Sequence, residues 1–573
     1  MDMKTFDKLP KEFKRGFISD NFDFKNLEEI LKIYNELEDR TVTSLEEFET
    51  WIGNLFEFEV ALHEAHGKLY ILSTCHTDDE NIKREEKYFT NTIFPGIAEI
   101  TNKINDKILT LYKNLKPSSK RYGIFIRSIE AEKKLFCKEN IPLFVKIDNF
   151  SQKYFEIRGG MMIDFKGKSR TMSEMFKFLE SPDKNIRKEA WLIRNEKNYE
   201  NREEINNLYS EIVKLHHKKA INAGFNDNIE YTFLSKKRFD YTPEDSIQFH
   251  NSIEKSVVPI LTKIHKEKCE KMGVDKLKPW DIFFDYRGDS PLKPFETVDE
   301  LVEKTIDVMY EIDEKFGNWT KMMRDYKLLD LDSRKGKAPG GYSSTLTETR
   351  LPFIFMNVSG TDWDIRTLFH ELGHSFHSLS KRDDILNYNS PSPMEFNEVS
   401  SMAMEFLGNS YLEKIYDNSE DVERSRKRHF ERVVALFTSV AAVDAFQHWI
   451  YSNPNHTVEE REEKWLEIGR RFDTGMVDWT GYEKFRKIGW QSILHIITMP
   501  FYYIEYGIAQ IGALQVWANS KKNFEKSIED YKNGLSAGNG FTLPELFEKS
   551  GIKFDFSEKM LQNLMNEIVK VRW

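Results

Sequence analysis

Cysteine is almost missing from this chain: Cys75, Cys137 and Cys269 are spread over 573 positions. So few, and an odd number, exclude a disulfide scaffold, favour a reducing compartment, and leave any metal site to nitrogen and oxygen donors. Excess positive charge is missing too. The 84 Lys+Arg set against 94 Asp+Glu give a net charge of −10, which argues against nucleic acid as a partner. The N-terminus, MDMKTFDKLPKEFKRGF, is charged throughout and without an apolar core, so no secretory signal is expected. One stretch, 494–517, is long enough to cross a bilayer, but it holds His495, Glu505, Gln510 and Gln515, with Pro500 inside. An ionised Glu near its middle costs about 3 kcal/mol to insert. A buried helix of a water-soluble, cytoplasmic protein with no membrane partner is therefore expected.

What is present is globular: 40% hydrophobic and 31% charged residues, with aromatics at 13%. The length would allow three or four domains at about 150 residues each. Apolar residues at three- and four-residue spacing predict helices over 26–34 and 44–115, with a break at Lys116-Pro117. A β signal over 161–165 precedes a turn at 166–168. Ser173, and then Ser181-Pro182-Asp183, open further helices. A second β region spans 336–357, and almost everything after Thr361 reads helical. The expected fold class is mainly α, with a small β-sheet just ahead of residue 361.

His370-Glu371-Leu372-Gly373-His374 is an H-E-x-x-H sequence. Residues four apart share one helical face, so both imidazoles can reach a single ion, while the intervening Glu can deprotonate a water held there. At about 100° per residue, His370, His374 and His377 form one stripe. Ile365, Leu368, Phe369, Leu372, Phe376 and Leu379 form the opposite face, and Thr361 with Asp364 makes a capping-box pattern at the start. A catalytic zinc site needs a third ligand and an open position. The extended metzincin pattern would place Gly at 377 and His at 380, where this chain has His377 and Ser380. A Glu from a following helix is the remaining source. Behind the start marked by Pro391, Ser392-x-x-Glu395 reads as a capping box, which gives Glu395 a structural task. Glu398 is then the third ligand. Glu405, seven residues on and on the same face, is a carboxylate that orients a ligand imidazole.

HELGHSFH followed by FNEVSSMAMEF resembles the zinc site of the oligoendopeptidase F and thimet oligopeptidase family of zinc metallopeptidases, on its Pz-peptidase-like branch. The 23 residues between His374 and Glu398 exceed the spacing of thermolysin-like and aminopeptidase-type sites. GMMIDFKGKSRTMSEMFKFLESPDKNIRKEAW, GKAPGGYSS, PFYYIEYGIAQIGALQ and FTLPELFEKSGIKF are similar as well, so the resemblance covers roughly 155 to the end. Leu372 departs from the family's Phe, on the core face. The resemblance implies a two-lobed, zincin-type helical molecule with a deep central channel, one Zn²⁺ per chain, and short unfolded oligopeptides as substrates. The domains expected on this basis are an N-terminal helical domain, 1–180, and a catalytic domain, 181–573.

The resemblance also implies that a His and tyrosines of the C-terminal segment contact substrate and transition state. His495, Tyr502 and Tyr506, spaced seven and four, match as catalytic residues, with Tyr503 beside them as a substrate contact. Such donors would stabilise the oxyanion. Gly340, Gly341 and Tyr342 lie at a sheet edge where a peptide backbone can pair and approach closely. His63-Glu64-Ala65-His66 has the wrong spacing for a metal site, and His216-His217 cannot share a face. The reading is a zinc endopeptidase with Glu371 as general base. A zincin exopeptidase, or a peptide-binding protein with a vestigial metal site, are the alternatives. Oligomeric state is not legible.

Overall fold

A computed structural model describes residues 2–10, 12–288, 290–384, 386, 392–538 and 540–572. Local caps set up the first helices. Asn26 accepts two backbone N–H bonds at the start of Leu27–Asp39, and Ser44 with Glu47 closes a capping box ahead of Leu45–Cys75. With Phe94–Leu115 and Ser119–Leu135, these helices bury Ile30, Tyr34, Phe48, Trp51, Phe58, Ile104, Ile108 and Phe125 in one apolar core.

A second, larger core takes most of the remaining chain. β1 (Met162–Phe165) and β2 (Lys168–Thr171) pair antiparallel across Lys166 and Gly167. Both turn residues have positive φ, 51° and 72°, the hand that suits a two-residue hairpin. Ile163 and Phe165 pack on the larger core. The helix expected from Ser173 is only the short Phe176–Leu179, whereas Asp183 caps Lys184–Glu200 as expected.

The sheet ahead of residue 361 has three strands in the order β3-β5-β4. β3 (Leu329–Asp332), too short and too acidic to show in the sequence, lies parallel to β5 (Leu351–Val358). β4 (Tyr342–Leu346) is the antiparallel edge. The buried run LPFIFM in β5 is that of a central strand covered on both faces. The motif helix, Asp362–Ser380, lies against β4 and β5; the carboxylate helix, Met394–Gly408, packs on it; the tyrosine helix, Tyr503–Ser520, packs on that in turn.

Glycine makes this stack possible. A Cβ at Gly373 would sit 2.5 Å from Ser400 O and Ser401 Cα, one at Gly408 2.4 Å from the Phe369 ring, and one at Gly512 2.8 Å from Val399. The glycine inside the H-E-x-x-H motif is therefore a packing requirement. The stretch 494–517 is not one helix. It divides into Leu494–Thr498 and the largely buried tyrosine helix, joined through Phe501 at φ 59°. Among the described residues one helix, Ser419–Ser452, is long and apolar enough to cross a membrane, and its apolar window is 67% buried in the fold.

Candidate active site

The motif helix begins on a firm cap: the Asp364 carboxylate accepts from Thr361 N at 2.7 Å and from Ser359 N at 3.0 Å. Asp362, buried beside it, accepts from Tyr416 Oη at 2.7 Å and from the Ser425 hydroxyl. The core face holds as expected: Ile365, Leu368, Phe369, Leu372 and Phe376 are fully buried, with Phe376 stacked on Phe316 at 4.5 Å. His370 and His374 stand on the opposite side. His377, placed by the sequence on the same stripe, is instead buried against Phe396.

His370, His374 and Glu398 bring one donor atom each to within 4.8 Å of one another. Glu398 Oε2 is 3.3 Å from His370 Nε2 and 3.7 Å from His374 Nε2. Glu405 Oε1 lies 2.8 Å from His370 Nδ1. A carboxylate only accepts, so that bond keeps the proton on Nδ1 and turns Nε2 toward Glu398. Behind Glu405, His429 Nε2 reaches Oε2 at 3.1 Å, and Asn409 Nδ2 meets His429 Nδ1 at 2.6 Å. His429 carries no sequence signal, since it lies in a separate long helix, Ser419–Ser452.

The protonation pattern follows from burial and charge. Burial works against both carboxylates, yet the imidazoles hold Glu398 and Glu405 down to about 2. Burial also works against a charged His370, but its bonds to Glu398 and Glu405 raise it well above the ordinary value. His374 is pushed down to about 4 by burial. Glu371 is buried, and burial pushes it up to about 7. Its Oε2 has no hydrogen-bond partner, while the backbone N–H of Ser343, on β4, faces its carboxylate. Sequence reasoning did not single out Ser343, although it lies within GGYSS.

This donor set fits a divalent cation. Two imidazole nitrogens and a carboxylate oxygen gather within the spread that bonds of about 2.0–2.2 Å to one ion require, after slight contraction. The histidine side chains remain 20% and 21% exposed against 3% for Glu398, which leaves an open side.

The Ser392 capping box does not form. Pro393 is the N-cap of the carboxylate helix and makes no side-chain bond, and Pro391 lies outside the described residues. Glu395 does have a structural task, of a different kind. It accepts from Tyr241 Oη at 2.6 Å and sits 3.5 Å from Arg238 Nε. The same guanidinium donates to Glu505 Oε1 at 2.8 Å and to the Phe501 carbonyl. Phe501 N donates to Gln447 Oε1 at 3.0 Å. A non-glycine residue held at positive φ by bonds on both peptide groups is strain maintained by its surroundings.

That turn gathers the C-terminal aromatics. His495 lies 5.0, 5.3 and 5.7 Å, ring to ring, from Tyr502, Tyr503 and Tyr506. One straight helical face would have done this differently; the break at Pro500 folds His495 back over the tyrosines. Tyr502 Oη donates to Glu398 Oε1 at 2.7 Å, and Tyr506 Oη is 3.4 Å from His495 Nε2. Burial raises both phenols above their ordinary value and pushes His495 down to about 4, so the tyrosines stay protonated donors and the imidazole stays neutral. Gly340, at φ 102° with open space where a Cβ would point, leads into β4. A Cβ at Gly341 would sit 3.4 Å from Phe355 O. Tyr342 stacks on Phe355 at 4.9 Å, its hydroxyl 2.6 Å from Thr74 Oγ1.

A helix-rich molecule that presents two histidines and a glutamate around one point, with the buried Glu371 next to them in sequence and one of its oxygens unpartnered, has the build of a peptidase. The family model described as peptidase family M3 matches residues 177–566, and its N-terminal domain model matches 19–136. The chain belongs to peptidase family M3. The oligoendopeptidase F homolog of Borreliella burgdorferi is 23% identical over 92% of this chain and 87% of its own length. The solved structure of PZ peptidase A with inhibitor 2 is 28% identical, covers 97% of this chain and 98% of its own, and superposes at TM-score 0.90. A putative oligoendopeptidase F from Bacillus anthracis is 26% identical with TM-score 0.86, covering 98% and 97%.

Proposed function

We propose that the protein is a zinc-dependent endopeptidase that hydrolyses internal bonds of short, unfolded oligopeptides. The observation that carries this reading is the convergence of His370, His374 and Glu398 beside Glu371, whose Oε2 has no partner. His370, His374 and Glu398 would hold one Zn²⁺, which supplies Lewis acidity to the peptide carbonyl and to the attacking water. Glu371 accepts the proton of that water and returns it to the departing amine. Tyr506 donates to the oxygen that gains charge, with neutral His495 holding it in place, and Tyr502 would do so once its hydroxyl leaves Glu398. Glu405 orients His370. Backbone groups of β4, with Gly340, Gly341, Tyr342 and Tyr503, bind the extended peptide. Two free cysteines that are buried suit a cytoplasmic setting. Two separate cores support two domains, expected as 1–180 and 181–573, and the hairpin's packing on the larger core argues for a seam nearer residue 140.

The test is cleavage of peptides capped at both ends, with and without chelator. An endopeptidase cuts them and an exopeptidase does not. Glu371→Gln should retain zinc yet lose turnover by about a thousandfold or more; near-normal hydrolysis by that variant would refute the mechanism, and absence of bound zinc would favour a pure peptide binder.

A further inference from the structure

Between Asp362 and Leu379 every residue of the motif helix is buried except four: Trp363, Thr367, His370 and His374. At about 100° per residue, Trp363 points within about 20° of each of the two histidines. One open strip therefore exposes the metal donors and an indole two turns upstream. Trp363 is 56% exposed, an apolar surface that the fold itself does not use. The Arg432 guanidinium lies over the ring, 4.9 Å from its centroid. It is itself anchored 3.5 Å from Asp362 Oδ2 and 3.5 Å from Glu180 Oε1.

β4 runs alongside the strip in the same sense as the helix. The Cβ position of Gly341 is 3.6 Å from the Thr367 methyl, Ser343 Oγ is 3.2 Å from Ser375 Oγ, and Thr345 Oγ1 donates to Ser378 Oγ at 3.0 Å. The start of β4 thus lies at the Trp363 end.

We propose that Trp363 is a specificity-determining subsite, taking a large apolar or aromatic side chain of the peptide at the third residue after the cleaved bond. The proposal rests on the peptidase reading and adds a substrate preference to it. Seven helical residues separate Trp363 from His370, about 10.5 Å at 1.5 Å per residue, and an extended peptide covers that in about three residues. A substrate strand antiparallel to β4 runs with its C-terminal half toward Gly341, which puts the third residue after the bond against the indole. The uncovered ring face offers a rigid apolar platform, and Arg432 behind it disfavours a cationic side chain.

The test uses doubly capped peptides that differ only at that position, carrying Ala, Phe or Lys, with kcat/KM and the cut site measured on the zinc-loaded protein. The Phe-to-Ala ratio of kcat/KM should be about tenfold in the wild type, near one in Trp363→Ala, and largely kept in Trp363→Phe, with the Lys peptide poorest in the wild type. A ratio that survives Trp363→Ala, or a Trp363-dependent preference mapping to another position, would overturn the subsite. Failure of the wild type to cut any peptide of the series would overturn the peptidase reading and the subsite with it.

Discussion

A buried carboxylate with an oxygen left unpaired is costly, and Glu371 is such a group. Burial raises it to about 7, while a cation at the neighbouring donors would pull the value down. A general base works only when deprotonated. The rate should therefore fall as pH drops through the Glu371 value, with an acid limb in kcat/KM at or below about pH 7. A pH profile from about 5 to 9 checks this; a rate that rises toward acid would contradict the role. At this scale the sequence was highly legible, because the i, i+4 spacing of His370 and His374 is itself the chemical requirement. Glu398 was legible as well, although the Ser392 box that pointed past Glu395 does not exist. His429 and Arg238 were not, since their partners Glu405 and Glu505 are distant in sequence and no local pattern records the pairing.

Among elements, the three site helices owe their spacing to glycines, and this gives a paired prediction. Gly373→Ala would drive a methyl into the backbone of Ser400 and Ser401 at 2.5 Å, contacts that cannot yield as a flexible side chain can. A cost of about 3 kcal/mol or more is expected, with loss of zinc as the motif and carboxylate helices separate. Gly53→Ala, inside Leu45–Cys75, meets nothing within 4 Å and should stabilise by up to about 1 kcal/mol. Thermal melting with metal analysis measures both. The sequence showed the motif glycine but not its reason, which depends on a second helix some thirty residues on. In the same way, Pro500 signalled a break, while the fold of His495 back onto Tyr502 and Tyr506 depends on Phe501 being clamped by Arg238 and Gln447.

For the molecule as a whole, two apolar cores must act as one scaffold; the Leu45–Cys75 helix packs Ile71, Leu72 and Cys75 into the larger core, and a buried carboxylate adds a polar latch. Glu64 belongs to the first core's Leu45–Cys75 helix and is 2% exposed. It accepts from Glu348 N at 2.8 Å, from Thr349 N at 2.6 Å and from Thr349 Oγ1 at 2.6 Å, with Lys68 Nζ 2.7 Å away. Those residues form the turn between β4 and β5, so the helix grips the edge strand that carries Ser343. Arg15 pairs with Glu348 on the same turn, and Ala338 N donates to Thr74 O at 2.8 Å nearby. In sequence Glu64 stands out only through the neighbouring histidines, which do not form a metal site; its real partners lie about 285 residues away. Glu64→Ala leaves two backbone N–H groups without their acceptor, at about 1–3 kcal/mol each. The helix's remaining links to the larger core include the packing of Ile71, Leu72 and Cys75, so the loss should fall on the coupling of the two cores. Calorimetry should show the single unfolding transition of the wild type splitting into two, and KM for peptides should rise as β4 loosens, while zinc content stays intact. Glu64→Gln, which keeps an acceptor oxygen, should do less of each. If the alanine variant melts in one transition at the wild-type temperature, the latch is not what joins the two cores.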